Sequence, residues 1–188
     1  MPFVGAVFYF SKTRRNIPYE IIYAKLFSVF ILTVVLPILF FFFLKSLKAV
    51  SSFNTLGLKE RKLPLLINSF IIILILYRVF PKNEISGLYF YFLGILCSLI
   101  ICFVLVYFKI KSSIHMIGIS GFFVFCILVG LYYQKNINGT IAILLVCMGG
   151  VATSRLYLKA HVVSELIYGL IIGILPQISL YYFWSFGN

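Results

Sequence analysis

The sequence predicts an all-α integral membrane protein, a bundle of about six transmembrane helices. Of the 188 residues, 63% are hydrophobic and only 11% are charged, whereas a soluble domain is roughly a quarter charged. The charged residues also lie at the ends of long uncharged runs rather than within them. These runs are apolar on all sides, which favours helices in lipid over core helices of a soluble protein.

Six uncharged runs follow one another along the chain. They cover residues 26–44, 63–77, 85–108, 112–134, 136–154 and 166–188. A helix needs roughly 20 residues to cross a bilayer, so five runs are long enough. The second is shorter, but Lys62 and Arg78 at its ends can extend their charges to the interfaces. We therefore expect one membrane domain over residues 1–188, with residues 1–23 as an interfacial segment or a truncated helix.

The balance of charge is strongly basic, with 16 Lys and Arg against 4 acidic residues. Most of the basic residues lie at the ends of the apolar runs, where they suit lipid headgroups or phosphates. We therefore expect membrane lipids and a phosphate-bearing substrate as partners, and nucleic-acid binding is disfavoured.

Six spans place alternate connections on opposite sides of the membrane. Residues 45–62, 109–114 and 155–165 share one side, which we call the site face. Both histidines of the chain, His115 and His161, lie at this face, as does the basic cluster of residues 59–62.

The types and spacing of these residues are those of phosphate chemistry. His161 and Glu165 are four residues apart, so the carboxylate can accept a hydrogen bond from imidazole Nδ1 and leave Nε2 as a nucleophile. Arg155 offers a planar fork of donors for phosphate oxygens, and Ser113 and nearby lysines add further donors. His115 is then available as a general acid.

Taken singly, each of these residues has a simpler interpretation. A histidine at a helix end is often only an interfacial side chain, and a basic loop often only contacts headgroups. The set as a whole favours function, because it has the right residue types on one side of the membrane.

The stretch that begins at Ser154 and Arg155 and continues through His161 to Glu165 resembles the third signature of the type 2 phosphatidic acid phosphatase superfamily, SR-x5-H-x3-D. Glu165 stands where that signature has aspartate. Residues 113–115, Ser-Ile-His, resemble the Ser-x-His core of the second signature, PSGH. Residues 59–64 resemble the first signature, K-x6-RP, more loosely.

The resemblance implies a helical membrane enzyme that hydrolyses lipid phosphates or diphosphates through a phosphohistidine, without a metal or cofactor. His161 would be the nucleophile, Glu165 its orienting partner and His115 the acid. The phosphate-binding residues would be Arg155, Ser113, Ser154, Lys111 and Arg61.

Two other functions remain open from the sequence. The same site could transfer a phosphoryl group between lipids. Alternatively, the protein could be a non-catalytic scaffold or transport protein. Pro37 and Pro176 are consistent with a transport protein, because prolines can break helices within a span and transporters often contain broken helices.

Two arguments disagree about the side of the membrane on which the site lies. The site face carries nine Lys and Arg and the other face seven, which by the positive-inside rule places the site in the cytoplasm. The family resemblance implies instead an extracytoplasmic site on a bacterial inner membrane, and we expect that arrangement.

Overall fold

The computed structural model describes residues 1–13, 17–46 and 61–186, and these residues form helices and connecting loops without any strand. The helices are α1 Pro2–Lys12, α2 Tyr19–Ser46, α3 Lys62–Arg78, α4 Ser86–Tyr107, α5 Ile114–Tyr132, α6 Asn138–Tyr157 and α7 Val163–Phe186. The all-α membrane bundle predicted from the sequence is confirmed. Within the described ranges, five helices (α2, α4, α5, α6 and α7) are long and apolar enough to cross a membrane.

The two remaining helices correspond to the short elements of the sequence prediction. Helix α3 has 17 residues, as expected of the short second run. Helix α1 has 11 residues and packs against α5 and α2, with Ala6 and Tyr9 fully buried. The amino-terminal segment is therefore a helix whose inner face belongs to the core of the bundle.

Helix α5 lies at the centre, in contact with α1, α4, α6 and α7. The end of the bundle remote from the site face is packed with aromatic side chains. Tyr91 and Phe125 stack with ring centroids 4.0 Å apart, and the hydroxyls of Tyr9 and Tyr133 are 2.8 Å apart. Helices α2 and α6 lie at the periphery with most of their apolar side chains exposed, as expected for surfaces that face lipid.

Helices α5 and α7 approach each other closely because glycines lie at their contact. A Cβ on Gly173 would overlap the Ser120 side chain and the Ile117 carbonyl, and a Cβ on Gly169 would be 2.8 Å from the Ser113 carbonyl oxygen. Gly169 and Gly173 are four residues apart on one face, the spacing that lets membrane helices pack backbone to backbone. This contact sets the position of α7, and hence of the residues at its start.

The two prolines within spans leave their helices continuous. Pro176 cannot donate to the Ile172 carbonyl, and Ser98 Oγ of α4 donates to that carbonyl at 2.9 Å in its place. Around Pro37, residues Ile31–Val35 of α2 widen into a π-helical turn. A π-turn is one of the ways in which a helix accommodates a disrupted hydrogen-bond ladder.

Three helices end in left-handed residues that are not glycine. Lys109, Gln134 and Lys159 have φ values of 59°, 52° and 50° and follow α4, α5 and α6. After α6, the Ala160 amide donates to the Arg155 carbonyl at 3.1 Å and the Lys159 amide to the Leu156 carbonyl at 2.9 Å. This is the hydrogen-bond pattern of a Schellman cap, and it reverses the chain within five residues before α7 begins.

Candidate functional site

The candidate residues come from four helix ends that meet at the site face. Arg61 immediately precedes α3, His115 lies in the first turn of α5, Arg155 lies in the last turn of α6, and His161 lies in the connection before α7. Two contacts tie these ends together. Arg61 Nη1 donates to the Ser112 carbonyl at 2.9 Å, and the Ser113 amide donates to the Glu165 carbonyl at 3.1 Å.

The geometry around His161 is that of an oriented imidazole. Its Nδ1 lies 2.6 Å from Glu165 Oε2, the contact that the spacing of four residues predicts. An ionised carboxylate only accepts, so Nδ1 carries the proton and the lone pair lies on Nε2. Lys111 Nζ is 3.8 Å from the same carboxylate oxygen and donates to the Ala160 carbonyl at 2.8 Å. Lys111 therefore holds both the carboxylate and the connection that carries His161.

Both histidines of the chain and two of its arginines, Arg61 and Arg155, line one cavity, which we call the outer cavity. It has a volume of about 380 Å³ and lies between α2, α3 and the ends of α5, α6 and α7. His161 and Arg61 are buried, Arg155 is half-buried, and His115 is exposed within this opening. Residues separated by up to 100 positions are thus brought to one concave surface.

Arg155, a residue of the cavity wall, has a buried donor atom without a partner. Among the residues that the structure describes, Arg155 Nε is buried and receives no hydrogen-bond acceptor. Unsatisfied buried donors are rare in native proteins, and an anionic oxygen is one kind of acceptor that would satisfy a guanidinium. Arg61 adds a second guanidinium to the same wall.

The environment of His161 favours its neutral form. Burial lowers the pKa of His161, the hydrogen bond to Glu165 opposes that change, and the positive charges of Lys111 and Arg61 lower the pKa further. The resulting pKa lies below the ordinary histidine value. His161 is therefore unprotonated at neutral pH, as a nucleophile has to be.

Three residues that the sequence predicts as phosphate ligands lie off the cavity wall. Ser113 is fully buried and caps α5, with its Oγ accepting from the Met116 amide at 3.4 Å. Ser154 and Lys111 are not among the residues that line the outer cavity either. Of the basic cluster, Lys59 lies outside the described residues, and Lys62 places its Nζ 4.1 Å from the centre of the Tyr107 ring.

The structure adds wall residues that the sequence did not indicate. Thr33 and Pro37 of α2 and Asn68 of α3 line the outer cavity. The π-turn of α2 is part of this wall, and such turns are frequent at functional sites. Proline within an apolar run was the available signal for α2, whereas Asn68 had none.

No group of three or more His, Cys, Asp or Glu side chains lies close enough to hold a metal ion in the part of the chain that the structure describes. In the comparisons with known proteins, no family model, no curated protein and no solved structure matched this chain.

Proposed function

We propose that this protein is a lipid phosphate or diphosphate phosphatase that acts through a phosphohistidine on His161, as a divergent relative of the type 2 phosphatidic acid phosphatases. The observation that carries the proposal is the outer cavity. It combines an imidazole oriented by a carboxylate, a second imidazole and two guanidinium groups on one concave surface. This is the set of groups that a metal-independent phosphoryl transfer requires.

In the first step, the Nε2 lone pair of His161 forms a bond to phosphorus while the bond from phosphorus to the leaving oxygen breaks. His115 donates its proton to that oxygen, and the alcohol or lipid phosphate departs. In the second step, water attacks phosphorus as the N–P bond breaks, and His115 takes up the proton of the water. Inorganic phosphate is released and both imidazoles return to their starting protonation states.

Arg155 and Arg61 stabilise the charge that develops on the equatorial phosphoryl oxygens. Donors fixed in a site that excludes water are effective here because they need no reorganisation during the reaction. Both arginine side chains belong to the wall of the outer cavity. Glu165 acts behind His161, holding its tautomer and offsetting the positive charge that the ring gains on phosphorylation.

The substrate's hydrocarbon part would reach the site from the bilayer. The outer cavity is bounded by apolar residues of α2 such as Ile38, Phe40 and Phe41. We further propose that the site face is extracytoplasmic, in a bacterial inner membrane.

The direct test is phosphate release from purified protein in the presence of a chelator. The panel comprises phosphatidic acid, phosphatidylglycerophosphate, a polyprenyl diphosphate and lipid A. We expect at least one to be hydrolysed, and His161→Ala to reduce release to background. The matched control is Ser164→Ala, since Ser164 is exposed, lies three residues further along the chain and is not on the cavity wall.

A second measurement traps the intermediate. Quenching of wild-type protein in alkaline detergent, after mixing with a substrate labelled in its phosphoryl group, should give a base-stable label on the chain that acid removes, and His161→Ala should give none. Retained activity or an unchanged label in His161→Ala would contradict the mechanism. Addition of an acceptor lipid distinguishes a phosphotransferase, for which a labelled lipid replaces inorganic phosphate as the product.

A further inference from the structure

A second cavity adjoins the outer cavity and extends into the bundle; we call it the inner cavity. Its volume is about 400 Å³, and it lies between α3, α4, α5 and α7, with α1 at its far end. The two cavities share six wall residues, which are Thr33, Arg61, Pro64, Asn68, Ile114 and His115. A molecule bound at His115 therefore has direct access to both.

The two histidines differ in the cavities that they line. His161 and Arg155 line only the outer cavity, whereas His115 lines both. In-line transfer places the leaving oxygen on the side of phosphorus opposite the nucleophile. Because His115 is the group that protonates this oxygen, the leaving alcohol lies on the side where the inner cavity begins.

The wall of the inner cavity suits hydrocarbon. Leu65, Ile71, Ile72 and Phe122 contribute apolar surface. Two of its polar side chains, Ser98 and Gln177, are engaged in contacts between helices. Ser98 Oγ donates to the Gly94 and Ile172 carbonyls, and Gln177 Nε2 donates to the Tyr91 carbonyl at 3.1 Å.

We propose that the inner cavity is the subsite for the hydrocarbon chain of the leaving alcohol, and that the substrates are phosphoesters of alcohols with a single linear chain. This inference rests on the proposed function. A cavity of about 400 Å³ is in the size range of sites for one small ligand. It is matched to one chain beside His115 rather than to two chains that branch near the phosphate.

Gly118 provides a way to fill the inner cavity without touching the catalytic groups. It lines the inner cavity but not the outer one, one turn of α5 beyond His115. A Cβ there would meet only Met1 side-chain atoms at 3.5 and 3.8 Å, which is ordinary contact. Gly118→Leu therefore adds apolar volume at the wall of the inner cavity, at a position where the new Cβ has room.

The experiment compares dodecyl phosphate with ethyl phosphate as substrates. We expect Gly118→Leu to lower the ratio of their kcat/KM values at least about tenfold, because the chain loses the burial of several methylenes. Gly118→Ala should give an intermediate ratio. Gly149→Leu is the matched control, since nothing lies within 4 Å of a Cβ at Gly149 and the residue lines neither cavity. An unchanged ratio in Gly118→Leu, or a wild-type preference for phosphatidic acid over dodecyl phosphate, would overturn the proposal.

A binding measurement separates this proposal from the hydrolase activity. A dodecyl phosphonate with a photoreactive diazirine at mid-chain cannot be hydrolysed and reports where the chain lies. We expect it to label residues 65–72 of α3 or 117–122 of α5, and Gly118→Leu to reduce this labelling. Labelling confined to residues 37–44 of α2, which contribute only to the outer cavity, would overturn the inner-cavity subsite. If wild-type protein releases no phosphate from any substrate, the proposed function fails, and the labelling pattern still decides whether the chain occupies this cavity.

Discussion

The charged groups around His161 act on it in opposite directions. Burial lowers the pKa of His161, Glu165 raises it, and Lys111 and Arg61 lower it. The net direction is downward, so the free base persists to lower pH than in an ordinary histidine. Glu165 thus orients the imidazole of His161, and it also raises the pKa of this ring, which reduces the unprotonated fraction at acid pH.

This balance predicts the behaviour of Glu165→Gln. Removing the carboxylate removes the influence that raises the pKa of His161, so the acid limb of kcat/KM should move to lower pH. The maximal rate should fall by about 100-fold or more, because an amide can also hold the wrong tautomer. The measurement is a pH–rate profile of both proteins with one substrate, so that titration of the substrate phosphate cancels. An acid limb that stays in place or moves upward would show that Glu165 does not act on the nucleophile.

At the level of single residues, the sequence predicted best where chemistry and helix geometry coincide. The contact between His161 and Glu165 follows from a separation of four residues and is present at 2.6 Å. Ser113 shows the opposite case. A serine before a helix satisfies the free amides of the first turn, and capping α5 takes up its hydroxyl. Neither the sequence motif nor the residue type shows whether such a hydroxyl caps the helix or binds phosphate.

At the level of elements, the Schellman cap after α6 determines how α7 begins. Lys159 adopts φ of 50°, a conformation that costs a residue with a Cβ roughly 1–2 kcal/mol. The turn tolerates this cost because the amides of Lys159 and Ala160 satisfy carbonyls at the end of α6. His161 follows at once, so the cap also fixes the backbone that carries this residue.

Lys159→Gly should therefore stabilise the protein. Relief of the left-handed strain should contribute about 1 kcal/mol, which for a chain of this size raises the apparent Tm by roughly 2–4 °C. The measurement is thermal unfolding of both proteins in the same detergent. Lys159→Ala is the control, because it removes the amine but keeps the Cβ, and its Tm should not rise. Equal stabilisation by both variants would assign the effect to the charge instead of the backbone.

The contact between α5 and α7 makes the opposite prediction for Gly173. An added Cβ overlaps Ser120 and the Ile117 carbonyl, so Gly173→Ala has to push the helices apart. Overpacking of this kind costs about 1–3 kcal/mol. It should also reduce phosphate release, because α7 carries Glu165 and follows His161. Tm and activity are to be compared with Gly149→Ala, where the new Cβ meets open space and both quantities should be retained.

The helix–helix contacts mark the boundary of what could be predicted from the sequence. The length of an uncharged run reports a span directly, because the bilayer thickness sets that length. The rotation of each helix depends on pairs of surfaces, and single runs do not encode it. The spacing of Gly169 and Gly173 was a readable signal for one such pair. The hydrogen bond from Ser98 to the carbonyl that Pro176 leaves without a donor could not be predicted, since Ser98 and Pro176 are 78 positions apart.

For the whole molecule, the two ends of the bundle differ in construction. Aromatic stacking around Tyr91, Phe125 and Trp184 closes the end remote from the site. The site end is held by polar contacts between helix termini and contains the outer cavity, from which the inner cavity extends toward the aromatic end. An apolar base with a polar opening is an arrangement that would suit the site as proposed, which would have to admit a lipid phosphate.

The expected orientation of the molecule in the membrane depends on which basic residues are counted under the positive-inside rule. On the site face, Arg61 and Arg155 line the outer cavity and Lys111 is bound to the Ala160 carbonyl and Glu165, so all three have roles of their own. Without them, the counts become six against seven, and the bias toward a cytoplasmic site disappears.

We therefore expect the site face to be extracytoplasmic, and two exposed loop lysines allow a test. Lys159 lies on the site face and Lys82 on the other. In a Cys147→Ser background, which removes the exposed thiol among the described residues, Lys159→Cys should react with a membrane-impermeant maleimide in intact cells. Lys82→Cys should react only after permeabilisation. The reverse pattern would place the site in the cytoplasm and would restrict its substrates to lipid phosphates of the inner leaflet, while the intracavity chemistry of His161 and His115 would remain as proposed.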